Sequence, residues 1–408
     1  MSKKIIVVGG GAAGMMAALS ARKNGGDVLI LERNDRIGKK LLATGNGRCN
    51  YTNKNLTINN YHGNNPKFAY RALCEFNVDR TIEFFERLGI TPAVEDNGKV
   101  FPLSFQSSSM LDVLRYEIEE QGIELITEAY VSEIKKKKNF SVILKDKRVF
   151  EGDRVIIGTG GMALPSSGSD GNGYSLCKKL GHRVTEIFPG LVQLKLESNF
   201  LKSLDGVKFL GLAGIYIDNK LVMEDRGDIL FTNYGISGPP ILQLSRTALA
   251  YMNDGNNVEL RVSIIHAKTM EELFDYLVNR FKNMGKKTIE FGLIGLINKR
   301  LIIPILKEIS IDKNKNVGEL SKDEIKKLSG ILTSWSFKVI GSQSFGNAQV
   351  TAGGVNTDEI NNQTMESKIV KGLYMIGELL DIDGDCGGFN LQWAWSSGYI
   401  AGENAAKN

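Results

Sequence analysis

The residues that most plainly offer chemistry are glycines. Gly9, Gly11 and Gly14 fall in the pattern GxGxxG directly after Lys4 to Val8, a short β-branched run that reads as a buried strand. Gly9 would permit a tight turn. Gly11 would let the backbone approach a pyrophosphate, and Gly14 would let the next helix lie close to the strand. Ala12 and Ala13 sit between them, and good helix formers continue through residues 15–21 until Gly25-Gly26 ends the helix. Its free N–H groups and positive dipole end would face phosphates. A second strand, 28–31, ends in Glu32, 23 positions after Gly9, with Arg33 beside it. A carboxylate about 20 residues beyond the first glycine holds ribose hydroxyls and disfavours a 2′-phosphate. The expected ligand is therefore an adenine dinucleotide without that phosphate.

The other end of the chain separates FAD from NAD. Residues 372–376 read as a strand ending in Gly377-Glu378, and a loop then leads through Gly388 into a final helix at Asn390 and Leu391. A nicotinamide dinucleotide has no need of a second cradle, whereas the ribityl chain and isoalloxazine of FAD extend well past the pyrophosphate. Glu378 could hold ribityl hydroxyls. The final helix could aim its positive end at flavin N1 and the C2 carbonyl. Its small residues Ala394, Gly398, Ala401 and Ala405 are expected to pack closely on a sheet. Between the two ends, residues 155–161 run into Thr159, Gly160 and Gly161, expected near the pyrophosphate. Pro165 argues against a second dinucleotide fingerprint there. The backbone of Val131 is expected to meet the adenine.

The loop after Glu32 carries Lys40, Thr44, Asn46, Arg48, Cys49 and Asn50 and is expected beside the isoalloxazine. Arg48 and Asn50 are the catalytic candidates. Arg48 would steady reduced flavin or an anionic substrate, against the plainer role of capping loop carbonyls. Cys49 reads as a packed thiol rather than a covalent anchor, so FAD is expected to be held non-covalently.

The whole chain sets bounds. Its 408 residues exceed the roughly 250–300 at which one core stops growing, so several domains are expected. A net charge of +5 is weak and reads as dispersed, which argues against nucleic acid. The basic run 135–138 has no interleaved aromatic and suits a solvated hairpin tip. Four cysteines without metal or CxxC spacing suit a cytoplasmic location, and three scattered histidines give no metal site. No run of about 18 apolar residues is present to span a membrane. Nothing in the sequence points to an oligomeric state.

In the middle, residues 192–197 and Val258–Ser263 alternate apolar and polar as half-buried strands do. Thr269 and Ser321 each open a capping box ahead of helical periodicity. The expected architecture is α/β: a Rossmann-type domain from 1–190 and 345–408, an inserted β-barrel-like domain from 191–267 and 331–344, and an inserted helical domain, 268–330.

Several blocks occur in order: GGGAAGMMAA, GKKLLATGNGRCNYTN, GTGGMALPSSGSDGNGYSLCKKLGH, FTNYGISGPPILQLS, and VTAGGVNTDEI followed by GLYMIGELLDIDGDCGGFNLQWAWSSGYIAG. Together they resemble a bacterial three-domain family of FAD-dependent oxidoreductases, the BaiN/RdsA-like group that contains a bile-acid reductase and aminoacetone oxidase. The resemblance implies FAD and two inserted domains. It also implies hydride exchange at flavin N5 with a small organic substrate, most simply reduction of a C=C or related bond. The alternatives are an amine oxidase making hydrogen peroxide, and a flavin protein acting on tRNA or a partner. With one dinucleotide cradle filled by FAD, NAD(P)H would serve only as a transient donor. The chain departs from the family pattern at Asn233-Tyr234, where His-Phe is common, at Cys386, where Thr is common, and at Asn46, where Gly is common.

Overall fold

The structure is a computed structural model that describes residues 2–407. Val, Ile and Leu fill the strands Lys4–Val8, Asp27–Leu31 and Arg154–Ile157, and such runs suit a sheet covered on both faces. They form the middle of a five-stranded sheet in the order Leu373–Met375, Arg154–Ile157, Lys4–Val8, Asp27–Leu31, Glu124–Ile126. All pairings are parallel, and Ile6 lies opposite Val155 on one side and Leu29 on the other. The sheet is Rossmann-type and takes strands from both ends of the chain.

The chain divides into two compact units, one from residues up to 189 with those from 348 onward, the other from 190 to 347. In the first unit the helix Ala12–Lys23 follows the glycine turn, and the final helix Phe389–Lys407 packs directly on it. A Cβ on Gly398 would come 2.4 Å from the Ala13 carbonyl oxygen, and one on Gly402 2.2 Å from that of Ala17. Ser20 Oγ donates to the Tyr399 carbonyl at 2.7 Å. Gly398 thus serves a helix-on-helix contact rather than the sheet contact expected of its stripe, and Gly402, outside that stripe, serves the same contact. Two helix backbones approach this closely only where side chains are missing. The run 135–138 ends the strand Val131–Lys136 and turns into Phe140–Leu144, with Lys137 and Lys138 exposed at the tip.

The second unit is a closed six-stranded barrel: Leu194–Glu197, Gly235–Ser237, Lys220–Thr232, Lys208–Ile217, Val258–Ser263 and Trp335–Ser342. Phe231, Trp335 and Phe337 fill its interior, with Trp335 and Phe337 ring centroids 4.8 Å apart. Helices Met270–Lys282, Ile289–Gly292, Lys299–Glu308 and Lys322–Thr333 lie between its last two strands in sequence. Both capping boxes form. Thr269 Oγ1 accepts from Glu272 N at 3.2 Å while Glu272 returns the bond to Thr269 N at 2.8 Å. Ser321 and Glu324 repeat the arrangement at 3.1 and 2.8 Å. Barrel and helices belong to one compact unit, because Lys322–Thr333 packs on the strands Val258–Ser263 and Trp335–Ser342.

Candidate functional site

The three motif glycines are needed for different reasons. Gly9 has φ +104°, and a Cβ there would lie 2.6 Å from the Gly158 carbonyl oxygen. A Cβ on Gly14 would lie 1.9 Å from the Gly9 carbonyl oxygen. The fold itself therefore requires both. Gly11 has an ordinary φ of −80°, and nothing stands within 4 Å of where its Cβ would be. No side chain caps the helix that starts there, and the first N–H groups of a helix have no partner within it. A glycine at an uncapped helix N-terminus is what an approaching anion needs.

Glu32 is buried at the end of its strand. Its Oε2 accepts from Gly10 N at 2.8 Å, and its Oε1 accepts from Asn34 N and Asn34 Nδ2, both at 2.8 Å. Burial raises its pKa against the lowering effect of these bonds. A carboxylate offers about four lone-pair directions, so three bonds to the chain leave about one for a ribose hydroxyl. Arg33 pairs with Asp170 and lies 4.9 Å over the Tyr130 ring. Beside it the Val131 carbonyl accepts from Asn172 Nδ2 at 2.8 Å. Asn172 was not anticipated from the sequence; its place in the SDGNG run reads only as a turn.

The two chain ends meet at the start of the first helix. Gly377 has φ +64°, and its Cβ would lie 3.0 Å from Ala13 Cβ. Glu378 Oε2 accepts from Lys40 Nζ at 2.6 Å and Oε1 from Thr351 N at 2.7 Å. Thr351 Oγ1 in turn accepts from Met162 N at 2.8 Å and Ala163 N at 3.0 Å, directly after Gly161. Gly160 has φ +72°. The neighbouring Thr159 Oγ1 is buried and has no partner among the described residues. Thr351 ties this segment to Glu378, a role that its VTAGG setting did not reveal.

At the far end, residues 44–49 form a left-handed loop, with positive φ at Gly45, Asn46, Gly47 and Cys49. Thr44 Oγ1 donates to the Leu41 carbonyl at 2.6 Å. Cys49 is fully buried, and burial pushes its thiol up to about 12, which keeps it protonated and unreactive. Asn50 is buried, and its Oδ1 has no partner among the described residues. Gly388, with φ +97°, passes so close that a Cβ would sit 2.8 Å from that oxygen. Asn390 closes the preceding loop, accepting from Gly384 N and donating to the Gly384 carbonyl, both at 2.8 Å. Leu391 is half-buried against the core. Arg48 stands apart: its side chain is exposed, pairs with Glu95 at 3.2 Å and lies 4.5 Å over Phe101. A pair the sequence reading missed holds the same loop, with His62 Nε2 2.7 Å from Asp385 Oδ1. Among the described residues no group of three or more His, Cys, Asp or Glu could hold a metal ion.

This arrangement fits FAD. The open helix N-terminus at Gly11 suits a pyrophosphate, and the orphaned Thr159 Oγ1 lies in the segment beside it. Asn50 Oδ1 is an acceptor placed next to the free N–H donors of the final helix. An acceptor beside donors matches the imide edge of a flavin.

Residues 3–404 match the model of the HI0933-like protein Rossmann domain. The chain is 37% identical to the 3-dehydro-bile acid delta(4,6)-reductase of Clostridium scindens, over 95% of each chain. It is 31% identical to the ribosomal RNA dihydrouridine synthase of Haemophilus influenzae, over 92% of each. Among solved structures, the open conformation of a flavocytochrome c3 fumarate reductase superposes with a TM-score of 0.50 at 17% identity, covering 99% of this chain and 78% of that one. That likeness concerns the fold. Match and geometry agree, and the chain belongs to the HI0933-like Rossmann family of FAD-dependent oxidoreductases.

Proposed function

We propose that this protein reduces a carbon–carbon double bond conjugated to a carbonyl in a small ring compound. The observation that carries this is the 37% identity to a delta(4,6)-reductase along 95% of both chains. In a 3-oxo-4,6-diene the carbonyl draws charge from the double bonds. A dihydrouridine synthase likewise saturates a double bond conjugated to a ring carbonyl. The two named activities share a hydride acceptor of one kind. Bound FAD would supply the hydride, and NAD(P)H, docking transiently, would replenish it.

The chain's own residues do the rest. The open N–H groups after Gly11 would hold the pyrophosphate, with Glu32 at the ribose. Lys40 and Thr351 fix Glu378, whose remaining lone pairs would be left for ribityl hydroxyls. Asn50 Oδ1 and the final helix would orient the flavin edge, the helix favouring the negative charge of the reduced state. Arg48, exposed and paired with Glu95, would attract an anionic substrate. None of the four cysteines forms a disulfide, in keeping with a reducing cytoplasm.

The test is anaerobic. Protein reduced with NADPH is mixed with a 3-oxo-4,6-diene steroid, and loss of the dienone absorbance is followed. Saturation of the diene coupled to flavin reoxidation is expected. Flavin reduction by an aminoketone, with hydrogen peroxide formed in air and the diene untouched, would replace this reading with the amine oxidase.

A further inference from the structure

The first unit holds a cavity of about 440 Å³, lined from two stretches, 65–68 and 357–368. None of its lining residues is among those assigned to FAD. The second stretch doubles back on itself, with Ile360 bridged to Ser367. His182, outside the lining, fastens both limbs. Its Nδ1 lies 3.1 Å from Glu359 Oε2 and its Nε2 2.9 Å from Ser367 Oγ. Arg183 Nε donates to Glu359 Oε1 at 2.6 Å, and Lys368 N donates to the Glu359 carbonyl at 2.8 Å. This wall is held in one shape in advance, which lowers the entropy that a ligand must give up.

The side chains facing the cavity are polar. Four carboxamides line it, on Asn65, Asn361, Asn362 and Gln363. Asn361 Oδ1 accepts from Gln363 N at 2.9 Å, which leaves its NH2 group. The other three make no side-chain hydrogen bond among the described residues. Two ammonium groups, on Lys67 and Lys368, stand against one carboxylate, on Asp358. Lys368 Nζ donates to the Asp358 carbonyl at 2.9 Å and keeps further N–H groups. Lys67 has no ion pair among the described residues. Arg183 lies within reach of the Asp358 charge. The other carboxylates of this stretch are spent elsewhere, Glu359 on His182 and Arg183, Glu366 on Gly372 N. Phe68 and Ile360 also line the cavity but are only 4% and 1% exposed.

We propose that this cavity binds a sugar phosphate. A carboxamide both donates and accepts, as a sugar hydroxyl does, so the two groups pair in either sense. The two lysines supply the point charges that a phosphate takes up. The covered ring of Phe68 decides the class of ligand, because it offers no open face on which a nucleotide base could stack. The volume falls in the range of about 300–1,000 Å³ common for small-molecule sites. The site is separate from the flavin, so the inference does not rest on the reductase reading.

The experiment titrates FAD-loaded protein, whose own phosphate cradle is filled, with glucose 6-phosphate and with ribose 5-phosphate in a calorimeter. Saturable binding at one site is expected for at least one of them, with inorganic phosphate and free glucose each about tenfold weaker or more. Lys67→Met and Asn362→Ala should each weaken the sugar phosphate about tenfold, as loss of one hydrogen bond to a charged group does. Both side chains are exposed, and an unchanged flavin spectrum and melting profile confirm folded variants. Absence of saturable binding of both sugar phosphates overturns the proposal. So does binding that both variants leave intact, inorganic phosphate binding as tightly as the sugar phosphates, or tighter binding of AMP.

Discussion

The turn at Gly9–Gly14 and the turn at Gly384–Gly388 both lead from a strand into a helix, yet they are finished differently. In the first, Glu32 occupies the Gly10 N–H, and the Gly9 and Gly14 backbones are in contact with their neighbours. The turn is complete without a ligand, and only the helix N-terminus beyond Gly11 is left open. In the second, Asn390 closes the loop, but the Asn50 oxygen beside Gly388 is buried without a partner. A buried unpaired acceptor costs about 1–3 kcal/mol, a cost a ligand would relieve. On the proposed reading, the first cradle would hold a phosphate, and the unpaired acceptor in the second would meet the part of the cofactor where chemistry happens.

The sharpest test of the first cradle pits two of its glycines against each other. Gly14→Ala forces a Cβ against the Gly9 carbonyl oxygen and should cost at least about 3 kcal/mol of stability. Gly11→Ala meets nothing, so the apoprotein should change by less than about 1 kcal/mol, while FAD affinity falls about tenfold or more. Apoprotein melting and FAD titration separate the two. Equal damage to folding by both would show that Gly11 is not kept for a ligand.

Glu32→Gln comes next. One carboxylate oxygen becomes an NH2 that must face either the Gly10 N–H or the Asn34 donors. FAD affinity should drop by about 1.5–3 kcal/mol, measured by quenching of flavin fluorescence on rebinding. An unchanged value would assign Glu32 to the turn alone and not to the ribose.

Asn50→Ala probes the second cradle. It removes the unpaired acceptor and so should not destabilise the apoprotein. Turnover should fall about five- to tenfold with FAD still bound. If instead FAD is lost while the turnover of the remaining holoenzyme is unchanged, both cradles merely bind and the contrast between them fails.

The smallest effect concerns the buried thiol beside Asn50. Cys49 ionises near 9 in the unfolded chain and at about 12 in the folded one. Its contribution to stability is therefore intact below pH 9 and is lost as pH rises from there toward 12. At pH 8, iodoacetamide should label exposed Cys74 and leave Cys49 untouched in folded protein. Rapid labelling of Cys49 would mean that the loop opens.

The sequence by itself determined the glycine turn, its strand and helix, both capping boxes and the Rossmann class. All of these are local: each depends on residues a few positions apart, where backbone sterics and hydrogen bonding decide. Tertiary structure decided how distant groups are spent. Thr351 turned out to tether Glu378 to the backbone after Gly161, Asn172 to take the Val131 carbonyl, and Arg48 to lie outward on Phe101. Gly398 read as part of a stripe for a sheet and instead, with Gly402, lets two helix backbones touch. Spacing shows that a face is small, but what fills the space opposite depends on chain returning from hundreds of residues away.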